Sequence, residues 1–264
     1  MAFRNESPCP PRPPWWLAFA PLLVASILVF ASGCTPHEER GDESRPASRA
    51  AAGAERSPKQ GTGDRTKPGS SRGDAPRIVI LGDSLTAGLG LPVEQSYPSL
   101  LQQRLNTEGL DFEVVNAGVS GDTSAGGLSR LDWALEGNVK VLIVALGGND
   151  GLRGLPVEQL KANLAQIVET AQSRGIRVIL AGMEAPPNYG RDYIVAFHKV
   201  YPALARQYNV PFVPFLLQDV AGSQTLNQAD GIHPTAEGAR VVADHVWAVL
   251  KPVLDESGRG TSPS

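Results

Sequence analysis

Cysteine is nearly absent from this sequence. Cys9 and Cys34 are the only two among its 264 residues, and residues 35–264 contain none. A disulfide therefore cannot stabilise the part of the chain that follows Cys34, although such bonds are common in exported proteins. Any folded domain there must rely on its own hydrophobic core.

An excess of basic charge is also missing. The chain has 24 Lys and Arg residues against 27 Asp and Glu residues, which gives a net charge of -3 and a pI near 5.8. A protein that binds nucleic acid through its phosphates needs a basic surface. We therefore expect no nucleic-acid partner.

Large apolar residues are missing from one long segment. Residues 35–75 contain no Leu, Ile, Val, Phe, Tyr or Trp, and such a composition cannot bury enough apolar surface to offset the entropy of ordering. We expect a disordered tether over residues 34–75 and a flexible tail over residues 255–264. Residues 76–254 remain for one folded domain, and about 180 residues are enough for a single core.

The first 33 residues have the features of an export signal. Arg4 and Arg12 precede an apolar run over residues 15–31, and the small residues of Ala31-Ser-Gly lead into Cys34. Together these features resemble the signal peptide of bacterial lipoproteins, although Ala31 stands where that family usually has leucine. The resemblance implies cleavage before Cys34, acylation of its thiol, and a lipid anchor in the inner or outer membrane of the cell envelope. The alternatives are an uncleaved membrane helix or a signal that is cut nearby.

Short apolar runs alternate with segments of helical periodicity after residue 76. The strand candidates are residues 78–81, 112–115, 139–146, 177–181 and 210–213. The helix candidates are residues 97–108, 124–135, 157–173, 193–208, with a kink or break at Pro202, and 236–250, with Thr235 as its cap. Continuous apolar strands that alternate with helices predict an α/β fold, in which helices cover both faces of a parallel sheet.

A serine follows the first predicted strand. The apolar run 78–81 ends at Gly82, and Ser84 stands two residues later, where a helix is expected to begin. Ligands of parallel sheets bind at the carboxyl ends of the strands, and the N–H groups of a helix start stabilise negative charge there. Ser84 is therefore a candidate nucleophile. The alternative is a Gly-Asp-Ser turn that only caps a helix.

A histidine suited to activate this serine stands near the C-terminus. Asp230 precedes His233 by three residues, so a tight turn can bring its carboxylate to the imidazole and leave the other ring nitrogen for the serine proton. The alternative is a turn histidine before a proline. His37 lies in the predicted tether, and His198 and His245 lie within predicted helices, which makes these three weaker candidates.

Two further loops offer donors for an oxyanion. Gly121, in Ser-Gly-Asp, lets the main chain approach a ligand closely and present an N–H group. Asn149, in Gly-Gly-Asn-Asp, offers a side-chain amide. The alternatives are an ordinary loop glycine and a turn asparagine.

These four blocks, in this order, resemble the GDSL or SGNH hydrolases. The resemblance covers residues 77–250 and implies a single-domain, three-layer α/β/α sandwich with a five-stranded parallel sheet, the flavodoxin-like fold of that family. It implies Ser84 as the nucleophile, His233 as the base and Asp230 as its orienting partner. It also implies an oxyanion hole formed by the N–H groups of Ser84 and Gly121 and the side chain of Asn149, with no metal or cofactor.

Longer matches resemble the bacterial periplasmic branch of this family, which includes acyl-CoA thioesterases, lysophospholipases and arylesterases. They are residues 116–123, 146–154, 187–190 and 230–234. The resemblance implies a small-molecule acyl ester or thioester as substrate. The alternatives are a carbohydrate O-deacetylase with the same triad and a lipoprotein without catalytic activity. Nothing in the sequence requires more than a monomer.

Three neighbours of these blocks carry further expectations. Asp83 and Asp150 are expected to hold loops in place through hydrogen bonds. The segment 151–156, which contains Gly151, Leu152 and Arg153, is expected to be either a mobile lid over the acyl chain or an ordinary connector.

Overall fold

A computed structural model describes residues 75–259 of the chain. The predicted signal peptide, Cys34 and the tether up to residue 74 lie outside the described residues, as do residues 260–264. The strands are β1 (Arg77–Gly82), β2 (Glu113–Gly118), β3 (Val139–Ala145), β4 (Arg177–Ala181) and β5 (Phe212–Val213). They form one parallel sheet in the order β2-β1-β3-β4-β5, and this order brings the carboxyl ends of β1, β2 and β3 together.

Helices cover both faces of this sheet, so the α/β/α sandwich is confirmed. They are α1 (Ser84–Ala87), α2 (Tyr97–Thr107), α3 (Ser124–Ser129), α4 (Leu131–Ala134), α5 (Gly148–Leu152), α6 (Val157–Ser173), α7 (Arg191–Tyr208) and α8 (Ala236–Arg259), with short 3₁₀ turns at Val93–Gln95 and Pro187–Tyr189. Helix α2 packs on α8, and α6 packs on α3 and α7. The central strands β1 and β3 are buried on both faces, which explains why they are continuous apolar runs.

The predicted bounds hold best where periodicity is strong. Strand β4 and helix α6 begin and end at the predicted residues. Strand β2 continues to Gly118, three residues beyond its predicted end, and β5 is only two residues long. Helix α8 continues to Arg259, through the first residues of the predicted tail. Thr235 caps α8 as expected, because its hydroxyl accepts a hydrogen bond from the Gly238 N–H at 3.3 Å.

One helix prediction was wrong, and another was wrong in part. The segment 124–135 forms two helices, α3 and α4, because the backbone leaves helical geometry at Arg130 (φ -111°, ψ 12°). Helix α7, in contrast, continues through Pro202, so of the predicted kink or break only the break is excluded. Pro202 lacks one N–H donor. However, the buried residues Phe197, Tyr201 and Leu204 on both sides of it pack into the core, and this packing outweighs the lost hydrogen bond.

Among residues 75–259, no helix has the length and apolar content that crossing a bilayer requires.

Candidate active site

Ser84 lies at the carboxyl end of β1, where the strand turns directly into α1. Asp83 is the N-cap of α1, and its Oδ1 atom accepts a hydrogen bond from the Leu85 N–H at 3.0 Å. A side chain at position 82 would overlap Thr86, so the tight turn requires Gly82. The turn thus places the Ser84 hydroxyl at the sheet edge, beside the first N–H groups of α1.

His233 and Asp230 form a hydrogen-bonded chain with Ser84. The His233 Nε2 atom lies 2.8 Å from Ser84 Oγ, and His233 Nδ1 lies 2.6 Å from Asp230 Oδ2. Asp230 Oδ1 accepts the backbone N–H groups of Ile232 and His233 at 2.9 and 3.0 Å. The Ile232 N–H, followed by the His233 side chain and N–H, lowers the pKa of Asp230 to about 2. An ionised Asp230 holds His233 with Nδ1 as the donor and leaves Nε2 to face the hydroxyl.

Gly121 and Asn149 lie on the connections after β2 and β3, on either side of Ser84 in the sheet order. Gly121 has φ 85°, a conformation that favours glycine. Asn149 Nδ2 donates to the carbonyl oxygen of Asp122 at 2.9 Å and to Asp83 Oδ2 at 3.3 Å. The side-chain amide of Asn149 is therefore held by the direct neighbours of Gly121 and Ser84.

Asp83 is buried next to this amide, with only 2% of its surface exposed. Burial is the largest influence on its carboxyl and raises the pKa of Asp83 to about 6. The Leu85 N–H, the charge of His233 and the Asn149 amide act in the opposite direction. Asp83 therefore connects the nucleophile turn to Asn149. The free energy cost of burying its carboxyl depends on whether that carboxyl is ionised.

Asp150, which follows Asn149 in the chain, fixes the start of α3. Its two carboxylate oxygens accept the N–H and the hydroxyl of Ser124 at 2.7 and 2.6 Å. The Ser124 hydroxyl also accepts a hydrogen bond from Asn163 Nδ2 at 2.9 Å. The prediction that Asp83 and Asp150 hold loops in place is confirmed by these contacts.

Arg130 was missed by the sequence analysis. Its Nε donates to Asp122 Oδ2 at 2.6 Å, and its Nη2 donates to the carbonyl oxygen of Gly82 at 2.9 Å. One guanidinium thus joins the residue that follows Gly121 to the residue that begins the nucleophile turn. The available signal was an arginine inside an apolar helical pattern, between Leu128 and Leu131.

The segment 151–156, predicted as a lid or connector, lies beside the Gly121 loop. Arg153 Nη2 donates to the Gly121 carbonyl oxygen at 2.7 Å. The hydroxyls of Tyr189 and Tyr193 donate to the carbonyl oxygens of Leu152 and Leu155 at 2.7 and 2.9 Å. Gly151 is buried against Phe197. These contacts tie the segment to the Gly121 loop on one side and to aromatic residues in and before α7 on the other.

A small apolar cavity is lined in part by Ser84 and His233. Its other lining side chains are mainly hydrocarbon and include Leu85, Leu89, Leu91, Tyr97, Leu217 and Val242. Its volume of about 10 Å³ is enough for roughly one water molecule, so these side chains must move to admit an acyl chain. Within residues 75–259, no group of three or more His, Cys, Asp or Glu side chains is arranged to hold a metal ion.

The remaining histidines lie elsewhere. His198 Nδ1 lies 2.6 Å from Glu184 Oε1, and His245 Nε2 lies 3.6 Å from Asp219 Oδ2. His37 lies outside the described residues. Of the histidines in the described part of the chain, His233 is thus the one that contacts the Ser84 hydroxyl.

Comparison with known proteins agrees with this geometry. Esterase TesA of Pseudomonas aeruginosa is 48% identical over 181 residues, which cover 68% of this chain and 90% of that protein. Thioesterase 1/protease 1/lysophospholipase L1 of Escherichia coli K12 is 37% identical over 182 residues, which cover 69% of this chain and 86% of that protein. The crystal structure of TesA aligns with a TM-score of 0.64 at 48% identity and covers 67% of this chain and 98% of that chain.

A family model gives the same assignment. The model described as the GDSL-like Lipase/Acylhydrolase family matches residues 80–241, which is more than half of the chain and includes all four blocks from Ser84 to His233. The chain therefore belongs to the GDSL-like lipase/acylhydrolase family and is a hydrolase.

Proposed function

We propose that this hydrolase is a serine esterase that cleaves acyl esters or thioesters through an acyl-enzyme intermediate. The observation that carries the proposal is the continuous chain from Asp230 through His233 to the Ser84 hydroxyl, with hydrogen bonds of 2.6 and 2.8 Å. An esterase and a thioesterase/lysophospholipase among the relatives support this substrate range.

The first half of the reaction acylates Ser84. His233 Nε2 takes the hydroxyl proton while Ser84 Oγ bonds to the carbonyl carbon of the substrate, and the carbonyl electron pair moves onto oxygen. The resulting imidazolium is stabilised by the ionised Asp230. The tetrahedral intermediate then collapses, the bond to the leaving oxygen or sulfur breaks, and His233 returns the proton to that leaving group.

The second half releases the acid. A water molecule gives a proton to His233 Nε2 and attacks the acyl carbon, and the acyl bond to Ser84 Oγ breaks as the proton returns to the serine. In both halves the developing oxyanion is stabilised by the N–H groups of Ser84 and Gly121 and by the Asn149 amide. The 2.9 Å bond from Asn149 Nδ2 to the Asp122 carbonyl oxygen supports this role, because it orients the amide before substrate arrives. The second N–H of this amide forms only the longer 3.3 Å bond to Asp83, which it exchanges for the oxyanion.

The leader and tether belong to the same proposal. The mature protein begins at an acylated Cys34, and residues 35–75 connect this anchor to the catalytic domain on the outer side of a bacterial membrane. The lipoprotein-like sequence that ends in Ala31-Ser-Gly-Cys34 supports this arrangement. We further propose that the catalytic domain acts as a monomer.

Hydrolysis by the purified mature chain tests the assignment. We expect cleavage of p-nitrophenyl esters from acetyl to palmitoyl and of lysophosphatidylcholine, and loss of at least about 10³-fold of kcat in Ser84→Ala. Ser173→Ala is the matched control, because Ser173 is an exposed serine that donates only to the Thr170 carbonyl oxygen in its own helix. Activity that survives in Ser84→Ala would refute the proposal, and activity confined to acetyl esters would favour a carbohydrate esterase.

A further inference from the structure

Large apolar side chains are exposed at one edge of the sheet. Each of the five connections that follow a strand carries at least one such side chain with an exposed fraction between 39% and 47%. In strand order β1 to β5 they are Leu89, Val119, Leu152, Tyr189 and Ile232. We call these five residues the apolar rim. Val93, Trp133 and Val195 are also exposed, but they lie within a 3₁₀ turn and the helices α4 and α7 of these connections and are not part of the rim.

The apolar rim surrounds the candidate active site. The Leu89 N–H donates to the carbonyl oxygen of Ser84 at 3.1 Å, and Ile232 lies between Asp230 and His233 in the chain. On the other side, the Val119 N–H donates to the Gly82 carbonyl oxygen at 3.0 Å. The rim therefore follows the mouth of the site rather than one helix face.

Contacts also join the rim residues on the oxyanion side. The Tyr189 hydroxyl donates to the Leu152 carbonyl oxygen at 2.7 Å. Arg153, next to Leu152, donates to the Gly121 carbonyl oxygen, two residues from Val119, at 2.7 Å. Exposed apolar residues gathered around a site, unlike scattered ones, indicate an interaction surface.

The occupant of this surface must leave Ser84 accessible to substrate. A protein seated on the rim would cover the mouth of the site. A lipid surface, in contrast, accommodates apolar side chains among its acyl chains and itself contains acyl esters. Resting on the proposed esterase function, we propose that the apolar rim inserts into the surface of a phospholipid bilayer, so that Ser84 faces the lipid.

The chain that precedes the domain is long enough for this orientation. The described chain enters β1 at Arg77, at the amino edge of the sheet, which is opposite the rim. A flexible linker of about 40 residues has a root-mean-square span of roughly 35 Å and a much larger maximum reach. A domain of about 180 residues is roughly 40 Å across. The tether that the composition of residues 35–75 predicts would therefore be long enough for the rim to reach the membrane of the proposed anchor at Cys34.

Fluorescence from two labelled sites tests the orientation. Leu152→Cys lies on the rim. Trp133→Cys lies at an exposed residue (65%) that shares a surface hollow with Arg77 at the opposite edge of the sheet. Each variant is made in the full mature chain with Ser84→Ala, labelled with an NBD dye and mixed with phosphatidylcholine vesicles. Dye that also reacts with Cys34 contributes the same background signal to both samples, so it does not affect the comparison.

We expect the dye at position 152 to shift to the blue, brighten at least about twofold and be quenched by brominated lipid, while the dye at position 133 does not change. No change at position 152, or equal changes at both positions, would overturn the proposal. Because Ser84→Ala removes hydrolysis from this measurement, insertion at position 152 without esterase activity in the native chain would disprove the function alone. Esterase activity without insertion would disprove the docking alone.

A substrate comparison provides a second readout. Val119→Ser should lower the ratio of activity on lysophosphatidylcholine in vesicles to activity on dissolved p-nitrophenyl acetate by about tenfold, since only the first substrate requires docking. Trp133→Ser is the control and should keep the native ratio. A ratio that is unchanged in Val119→Ser would count against the rim.

Discussion

Asp83 gives the free energy of unfolding a specific dependence on pH. Burial raises its pKa to about 6 in the folded protein, from 3.8 for an ordinary aspartate. Between these two values the folded chain holds a proton that the unfolded chain has released. The stabilisation from this group is therefore complete below about pH 4 and is lost as the pH rises through about 6.

Replacement of Asp83 by Asn should remove this dependence while keeping a side-chain acceptor for the Leu85 N–H. Relative to Asp83→Asn, the native chain should lose up to about 3 kcal/mol of unfolding free energy between about pH 4 and pH 7. Urea denaturation of both proteins across this range measures the difference, since the other groups titrate in both. A difference that stays constant with pH would show that Asp83 is ionised throughout.

Arg130 contacts two catalytic loops at once, the turn that begins at Gly82 and the loop that contains Gly121 and Asp122. It is 17% exposed and pairs with Asp122, which is 18% exposed. The Asp122 backbone carbonyl in turn accepts the Asn149 amide. Removing the guanidinium leaves a largely buried carboxylate unpaired, so the loop that carries Gly121 should shift.

Arg130→Ala should therefore lower kcat by about 10- to 100-fold with a smaller change in KM, because a misplaced oxyanion donor acts mainly in the transition state. Added guanidinium ion should restore part of the lost kcat. Arg130→Lys should recover little, since an ammonium group cannot donate in the planar geometry that reaches both Asp122 and Gly82. The exposed pair of Arg240 and Glu237 supplies the control: Arg240→Ala should leave kcat unchanged. Equal kcat values in Arg130→Ala and Arg240→Ala would exclude the positioning role.

At the scale of elements, an aromatic stripe supports the connection after β3. Its side chains are four residues apart, and neighbouring rings have centroids 5.3 to 6.0 Å apart. They are Tyr189, Tyr193, Phe197 and Tyr201. Glycines of the connection lie against this stripe, Gly147 at Tyr201, Gly151 at Phe197 and Gly154 at Tyr189. The absence of side chains at these glycines lets the segment that contains Asn149 approach α7 closely.

Gly147→Ala should destabilise the protein by about 2–4 kcal/mol. Gly147 has φ 111°, and an added Cβ would overlap the hydroxyl of the buried Tyr201. Gly175→Ala separates the two causes, because Gly175 also has positive φ (71°) but no atom within 4 Å of an added Cβ. That variant should lose only about 1 kcal/mol, and thermal or urea unfolding would measure both. Similar losses in the two variants would mean that backbone strain alone matters.

At the scale of the whole molecule, the proposed attachment to a membrane would depend on one thiol, that of Cys34. The described domain contains no cysteine, so acylation of Cys34 would not compete with a disulfide in residues 75–259. The proposed anchor and the catalytic domain are therefore chemically independent parts of one chain.

Cells grown with an alkyne-tagged fatty acid should label the native protein, and the label should disappear in Cys34→Ser. The same labelling should persist in Cys9→Ser, because Cys9 lies within the predicted signal peptide, upstream of the proposed cleavage point. Mass spectrometry of the mature protein should find a lipid-modified Cys34 as its first residue. Label that is retained in Cys34→Ser would refute the anchor.

Sequence patterns predicted the elements that one chain segment specifies by itself. The strong periodicity of Val157–Ser173 places α6 correctly, because Leu160, Leu164 and Ile167 recur at helical spacing and all face the core. The segment 124–135 was misjudged because its break at Arg130 serves contacts with Gly82 and Asp122, which are distant in the helical pattern. The continuity of α7 through Pro202 likewise depends on core packing that local rules do not include.

By itself, the sequence determined the order of the candidate catalytic residues along the chain. They are a serine, a glycine, an asparagine and a histidine, each after an apolar strand or before a capped helix. Local turn geometry and the apolar pattern are properties of neighbouring residues, so they can be recognised without a structure. Only the tertiary structure decided that His233 meets Ser84 across 149 positions of sequence, that Arg130 joins two loops, and that five exposed apolar residues surround the site. These relations depend on the order of strands in the sheet, because strands that are distant in the chain become neighbours only when their backbone hydrogen bonds form.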